Sequence, residues 1–229
     1  MSDSEKEEDE EEDERKMGIM VCFEGLDKSG KTTLIRLVTQ TLESRQSGVK
    51  IASFAFPCLR EDVAPMTGPV LSKYLDGEMS VASPETLHLL FSANRWELAK
   101  NIEFMVRTND FVFLDRYWYS GYAYSEVFGL PSQWRLSCDA GLPQPDLVFY
   151  LRQPASLSVD RCNEQTKRQS TERTDVLEAA SQAFDGLFLN DHSGRVEVIN
   201  FRHVAGGCLD LSTLVDTIVR RLTQTKTEK

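Results

Sequence analysis

The sequence predicts an α/β protein built on a parallel sheet, and two patterns carry that prediction. Five strand-like runs, Ile19–Glu24, Lys50–Ala55, Phe111–Asp115, Leu147–Leu151 and Val196–Asn200, alternate with helical patterns over 31–46, 84–107, 154–167, 175–190 and 209–224. Strands that alternate with helices pair in parallel through right-handed crossovers. Several runs, FVFL and LVFY among them, are apolar at consecutive positions. That pattern suits a sheet covered on both faces. Ligands of such sheets sit beyond the carboxyl ends of the strands. Phe56-Pro57, Asp115-Arg116 and Asn200 all fall at those ends.

The chain opens on a charge block. Residues 1–16 hold ten acids against Lys6, Arg15 and Lys16, a net of −7 out of −10 for all 229 residues. Such a block repels itself and buries no apolar surface, so 1–16 is expected to be a disordered, solubilising tail. The rest is near neutral, with no basic bias that would favour nucleic acid. Hydrophobic content of 41% allows a substantial core. No apolar run approaches the ~20 residues of a membrane span, and the acidic start lacks the apolar segment of a signal peptide. No repeat or Gly/Ser linker divides the remainder, so one domain is expected over 17–226.

The first strand runs into Phe23–Thr33, FEGLDKSGKTT, and a helical pattern follows, Leu34, Ile35, Leu37, Val38 and Leu42. Gly25, Gly30, Lys31 and Thr32 complete the spacing GxxxxGK followed by Ser or Thr. In a strand–loop–helix context this is a phosphate-binding P-loop. Its glycines let backbone N–H groups turn toward anionic oxygens, and the helix N-terminus adds partial positive charge. Lys31 is expected to face solvent at an open site and reach the β- and γ-phosphates, with the Thr32 hydroxyl on Mg²⁺. The competing reading is an ordinary glycine turn that matches by chance.

Residues 84–107 open with Ser83-Pro84-Glu85, an N-cap and a proline at the first helical position. Leu87, Leu90, Phe91, Leu98, Ile102 and Met105 form an apolar stripe at helical spacing. Asn94 and Arg95 share the face of Phe91. An arginine on an apolar face needs a partner. Glu97 or Asp115 would serve as that partner. Alternatively, Phe91 stacks on a flat ring while Arg95 reads its edge. The segment DRYWYSGYAYS, 115–125, follows a strand directly. Asp115 at a strand end beside a P-loop can hold Mg²⁺, and Arg116 offers a planar fork for phosphate. Most of the aromatic residues after it are expected to pack under a loop.

Cys22, Cys58, Cys138, Cys162 and Cys208 are scattered, with no CxxC. They point to packing residues in a reducing compartment, the cytoplasm first and the nucleus as the alternative, rather than to a disulfide framework or zinc site. His88, His192 and His203 are expected to be surface or packing residues.

FEGLDKSGKTT, LLFSANRWE (89–97), DRYWYSGYAYS and GLPQPDLVFYL (141–151) together resemble the thymidylate kinases, in family order and spacing, over roughly 17–226. LLFSANRWE is similar to the eukaryotic and large-virus branch. The resemblance implies a P-loop kinase sandwich, a five-stranded parallel sheet flanked by helices, with a lid over about 167–175. It implies phosphorylation of dTMP to dTDP with ATP and Mg²⁺, in a homodimer paired through helices. It places ATP on Gly25, Lys28, Ser29, Gly30, Lys31, Thr32, Thr33 and the lid residue Arg168, and the metal on Thr32 and Asp115. It places the dTMP sugar on Asp27, the base between Phe91, Arg95, Ser120 and Tyr124, and the dTMP phosphate on Arg116 and on Arg60, beyond Phe56. Arg173 is a second lid arginine. Lys28, Lys31, Asp115, Arg116 and Arg168 form the implied catalytic set.

Four positions depart from the family pattern. FPCLR puts Arg60 one place late, Lys28 replaces the loop arginine of the eukaryotic branch, the lid is short, and Thr174 replaces a tyrosine. The implied acceptor is a phosphate oxygen, anionic at neutral pH, so no strong base is required and catalysis rests on positioning and charge neutralisation. A deoxynucleoside kinase would need a base, with Asp115 or Glu24 the candidates. A catalytically silent nucleotide-binding relative is the third reading.

Overall fold

The structure is a computed structural model that describes residues 17–160, 174–200 and 211–229. The acidic head, most of the expected lid with Arg168 and Arg173, and the second half of the expected helix 154–167 lie outside the described residues.

Five strands form one sheet: β1 (Ile19–Gly25), β2 (Ile51–Ala55), β3 (Phe111–Asp115), β4 (Leu147–Arg152) and β5 (Val196–Asn200). Their order is β2-β3-β1-β4-β5, and every neighbouring pair is parallel. The P-loop strand is therefore central, with β3 and β4 beside it. Phe23 pairs with Asp115 and Gly25 with Leu151, which brings the functional ends of three strands onto one rim.

Consecutive apolar residues divide between the two faces because strand side chains alternate. Met20, Cys22, Val112, Leu114, Val148 and Tyr150 join one core. That core includes Leu98 and Ile102 of α3 (Pro84–Thr108) and Leu177 and Phe184 of α7 (Thr174–Phe188). Val21, Phe23, Phe111, Phe113, Leu147 and Phe149 join the other. There they meet Leu34 and Val38 of α1 (Lys31–Arg45) and Leu214 and Ile218 of α8 (Leu211–Glu228). A one-residue slip of any central strand would exchange its two sets of side chains between cores of different shape.

The α3 helix begins as its sequence predicts. Ser83 Oγ accepts the Thr86 N–H at 3.1 Å and Pro84 sits in the first turn. Among the described residues, three short α-helices, α2 (Gly68–Leu75), α4 (Trp118–Tyr124) and α5 (Ser132–Cys138), and a 3-10 turn (Glu126–Phe128) are additional to the expected set, with α6 (Ala155–Asp160) opening the 154–167 pattern. WYSGYAY is rich in aromatic residues and carries a glycine, a weak local case for a helix. Tertiary contacts make it one. Among the described residues no helix is long and apolar enough to cross a membrane.

Candidate active site

The loop after β1 is shaped by three backbone positions with positive φ, Gly25 (141°), Lys28 (59°) and Gly30 (94°). Gly25 is also sterically required, because a Cβ there would stand 2.5 Å from the Leu151 carbonyl oxygen. Gly30 has open space around it, so only its backbone angle demands glycine. Lys31 does not face solvent as expected. Its side chain is 5% exposed and folds back over the loop, with Nζ 3.1 Å from the Gly25 carbonyl, 2.8 Å from that of Leu26 and 3.3 Å from Ser29 Oγ. Burial and the neighbouring Arg116 push its pKa down to about 7, against the opposing pull of Asp27, Asp115 and Glu24.

At the rim, Thr32 Oγ1 donates to Asp115 Oδ2 at 2.5 Å. The two candidate metal ligands, 83 residues apart, thus meet across the β1–β3 pair. Both are hard oxygen donors on one cavity wall, the chemistry Mg²⁺ prefers when phosphate and water supply its remaining ligands.

Arg116 holds a positive φ of 70°, a conformation costly for a non-glycine residue and common at functional sites. Its Nη1 donates to the Gly25 carbonyl and to Ser120 Oγ, both at 2.9 Å, and its Nη2 to Asp27 at 2.5 Å. Asp27 is also tied to Tyr124, whose hydroxyl donates to Asp27 Oδ2 at 2.9 Å and accepts the Asp27 N–H at 3.1 Å. Burial drives the Asp27 carboxyl up, but Arg116 and Lys31 outweigh it and leave the group below the usual carboxylate range.

Glu24 supports this arrangement from beneath. It is fully buried, Oε1 accepting from the Tyr117 and Ser120 N–H groups at 2.7 and 3.2 Å and Oε2 from Ser120 Oγ at 2.6 Å. No side chain at the start of α4 caps it, so Glu24 does so from 93 residues away. Burial raises its carboxyl above the usual range, although Arg116, Ser120 and Tyr117 pull it back.

Two cavities open on this rim. One, about 250 Å³, is walled by Phe91, Arg95, Tyr74, Gly121 and Tyr124, with the Tyr74 ring edge-on to Phe91. The other, about 600 Å³, lies over Lys28, Gly30, Lys31, Thr32, Thr33 and Asp115. Asp27, Phe56 and Arg116 line both, so the cavities meet at a shared wall.

The thymidylate kinase family model matches residues 23–200. The chain belongs to the thymidylate kinase family. Among its relatives, the thymidylate kinase of Plasmodium falciparum is 40% identical over 150 residues, 65% of this chain and 68% of that one. That of Dictyostelium discoideum is 38% identical over 152 residues, 66% of each. These alignments thus span about two thirds of the relatives. A solved thymidylate kinase from Candida albicans superposes with a TM-score of 0.71 at 27% identity, covering 93% of this chain and 94% of that one. The chain is therefore a kinase, a phosphotransferase on a P-loop sandwich.

Of the eight residues expected on the acceptor side, seven, Asp27, Phe56, Phe91, Arg95, Arg116, Ser120 and Tyr124, line the smaller cavity. The eighth, Arg60, is not brought there. It stands in solvent, 72% exposed, paired with Asp62 at 2.6 Å. The displaced register of FPCLR explains this, since Cys58 is anchored instead. Asn94 accepts the Cys58 N–H at 2.8 Å and donates to its carbonyl at 2.9 Å. Of the residues expected to hold ATP, Lys28, Gly30, Lys31, Thr32 and Thr33 line the larger cavity. Gly25 and Ser29 shape the loop from behind, and Arg168 lies outside the described residues.

The acid partner of Arg95 is neither Glu97 nor Asp115. Asp139 takes Nε and Nη2 at 2.9 and 2.7 Å, in a pair 3% exposed on both sides. Glu97 accepts instead from the Met66 and Thr67 N–H groups. Asp139 escaped sequence reasoning because a buried arginine announces that it needs an acid without saying which one. His88 is a packing residue but also lines the smaller cavity, hydrogen-bonded to Ser125 Oγ at 2.8 Å. His192 is exposed and His203 lies outside the described residues. Of the aromatic run, Tyr117, Trp118 and Tyr119 pack in the core, Tyr122 lies under Arg135, and Tyr124 reaches the site. Cys22, Cys58 and Cys138 are free thiols, and Cys162 and Cys208 lie outside the described residues.

Proposed function

We propose that the smaller cavity takes dTMP, the larger takes the triphosphate of ATP, and the γ-phosphoryl group passes between them to give dTDP. The observation that carries this reading is the shared wall. Arg116 borders both cavities, where the acceptor oxygen and the transferring group must meet for in-line displacement. Phe91 supplies the ring face for thymine and Arg95 the donors for its edge. Tyr124 crowds the sugar and holds Asp27 against it. Arg116, freed from Asp27, grips the dTMP phosphate. Lys31 moves off its carbonyl partners to the β- and γ-phosphates. Thr32 and Asp115 would hold Mg²⁺, which neutralises phosphate charge when bound. The lid over 167–175, with Arg168 on the transferring group, is supported by its place in the sequence.

No base is assigned. Glu24 lines neither cavity, and both its oxygens are taken up by the start of α4. Asp115 is engaged with Thr32. The arrangement therefore favours an acceptor that is already anionic over a nucleoside hydroxyl. Pairing of two chains is assigned to α3, where Leu89, Trp96 and Phe104 are 49%, 42% and 59% exposed. A coupled assay with ATP and, in turn, dTMP, dUMP, dCMP, dGMP and thymidine tests the function. The highest kcat/KM is expected for dTMP, and a preference for thymidine would refute the reading.

A further inference from the structure

Arg95 is buried, yet its guanidinium is not used up. Nε and Nη2 go to Asp139, while Nη1 has no protein acceptor among the described residues. Arg95 lines the acceptor cavity. Its plane lies against α4 at Gly121, where a Cβ would come within 2.7 Å of Nη2, 2.9 Å of Nη1 and 3.0 Å of Cζ. Asp139 is itself held, 4% exposed and accepting from Ser92 Oγ at 2.8 Å. The guanidinium is thus clamped along one edge by a carboxylate and across one face by a bare backbone.

We propose that Asp139, with Gly121, is a positioning element that turns Arg95 into a fixed, donor-only reader of the acceptor base, so that bases with a carbonyl at that edge are selected over bases with an exocyclic amino group. This rests on the reading that the smaller cavity takes the base. A guanidinium offers donors and no acceptor. Facing a carbonyl, Nη1 makes a charge-assisted hydrogen bond. Facing an amino group, donor meets donor, and both lose their water without gaining a partner. A mobile arginine would turn aside and relieve that conflict. The bidentate carboxylate prevents it, because rotating the fork breaks two charged bonds at once.

The test is the ratio of kcat/KM for dTMP to that for dCMP, with ATP as donor, in the full chain and in Asp139→Asn, Gly121→Ala and Arg95→Ala. Asp139→Asn weakens the clamp. Gly121→Ala displaces the guanidinium while leaving Asp139 intact, and alanine is the better helix former, so thermal stability need not fall with selectivity. Both are expected to lower the ratio by roughly tenfold or more, the worth of a charged hydrogen bond, with KM for ATP unchanged. Asp139→Asn should add nothing in an Arg95→Ala background, because it acts through Arg95. An unchanged ratio in both single variants overturns the proposal, as does an equal loss from Asp139→Asn when Arg95 is absent. If Arg95→Ala raises KM for ATP and leaves that for dTMP alone, the base-site reading fails and the proposal with it. If Arg95→Ala raises KM for dTMP while the other two variants keep the ratio, only the role of Asp139 and Gly121 falls.

Discussion

ATP binding should draw a proton from solvent at alkaline pH, and Lys31 is the group that takes it. In the free site burial and Arg116 bring the Lys31 pKa down to about 7. At pH 8 about nine in ten of these side chains are then neutral, and at pH 6 about one in ten. All three observed contacts are donated by Nζ, to the Gly25 and Leu26 carbonyls and to Ser29 Oγ, and they hold the side chain inside the loop. A phosphate charge about 4 Å away at an effective dielectric near 20 favours the ammonium by about 4 kcal/mol, equivalent to about three pH units. That returns Lys31 to about its ordinary value in the complex. The sign follows: the free site loses its proton as pH rises through about 7, whereas the bound site keeps it to about pH 10. Uptake should be about 0.9 proton per ATP at pH 8 and about 0.1 at pH 6, and Kd should rise about tenfold in all between those limits. Titration calorimetry of MgATP in buffers of different ionisation enthalpy measures this directly. Uptake near zero at pH 8 with normal ATP binding would refute the reasoning, and Lys31→Met should abolish the uptake.

Three further outcomes are expected. Glu24→Gln should retain dTMP turnover within about tenfold, because Glu24 caps α4; a loss near the upper end of the 10²–10⁴ range typical of a general base would restore the base reading. Arg60→Ala should leave KM for dTMP unchanged in steady-state assays, since Arg60 pairs with Asp62 in solvent; a large rise would mean that the loop closes onto the acceptor phosphate. Phe104→Glu, on the exposed face of α3, should yield monomers by sedimentation, and an unchanged mass would place any pairing surface elsewhere.

Much of this kinase was legible in its sequence, because the signals involved are local. Strand alternation with period two and helix stripes of period 3.6 are written within a few residues of each other. The consecutive apolar residues of Phe111–Leu114 and Leu147–Tyr150 announced two covered faces, and the structure supplies a core on each. The P-loop spacing likewise located the larger cavity, since its glycines answer to backbone angles that the loop itself requires. What tertiary structure decided were pairings between distant segments. Arg95 declared a need for a carboxylate, but only the packing of α5 against α3 chose Asp139 over Glu97. WYSGYAY became a helix because Glu24, on another strand, receives its first N–H groups. Lys31 was expected in solvent and is buried, and Arg60 was expected at the site and is exposed. Each outcome turns on which carbonyl or carboxylate the fold brings within hydrogen-bond reach. That proximity arises from strand order and helix docking, and no window of neighbouring residues contains it.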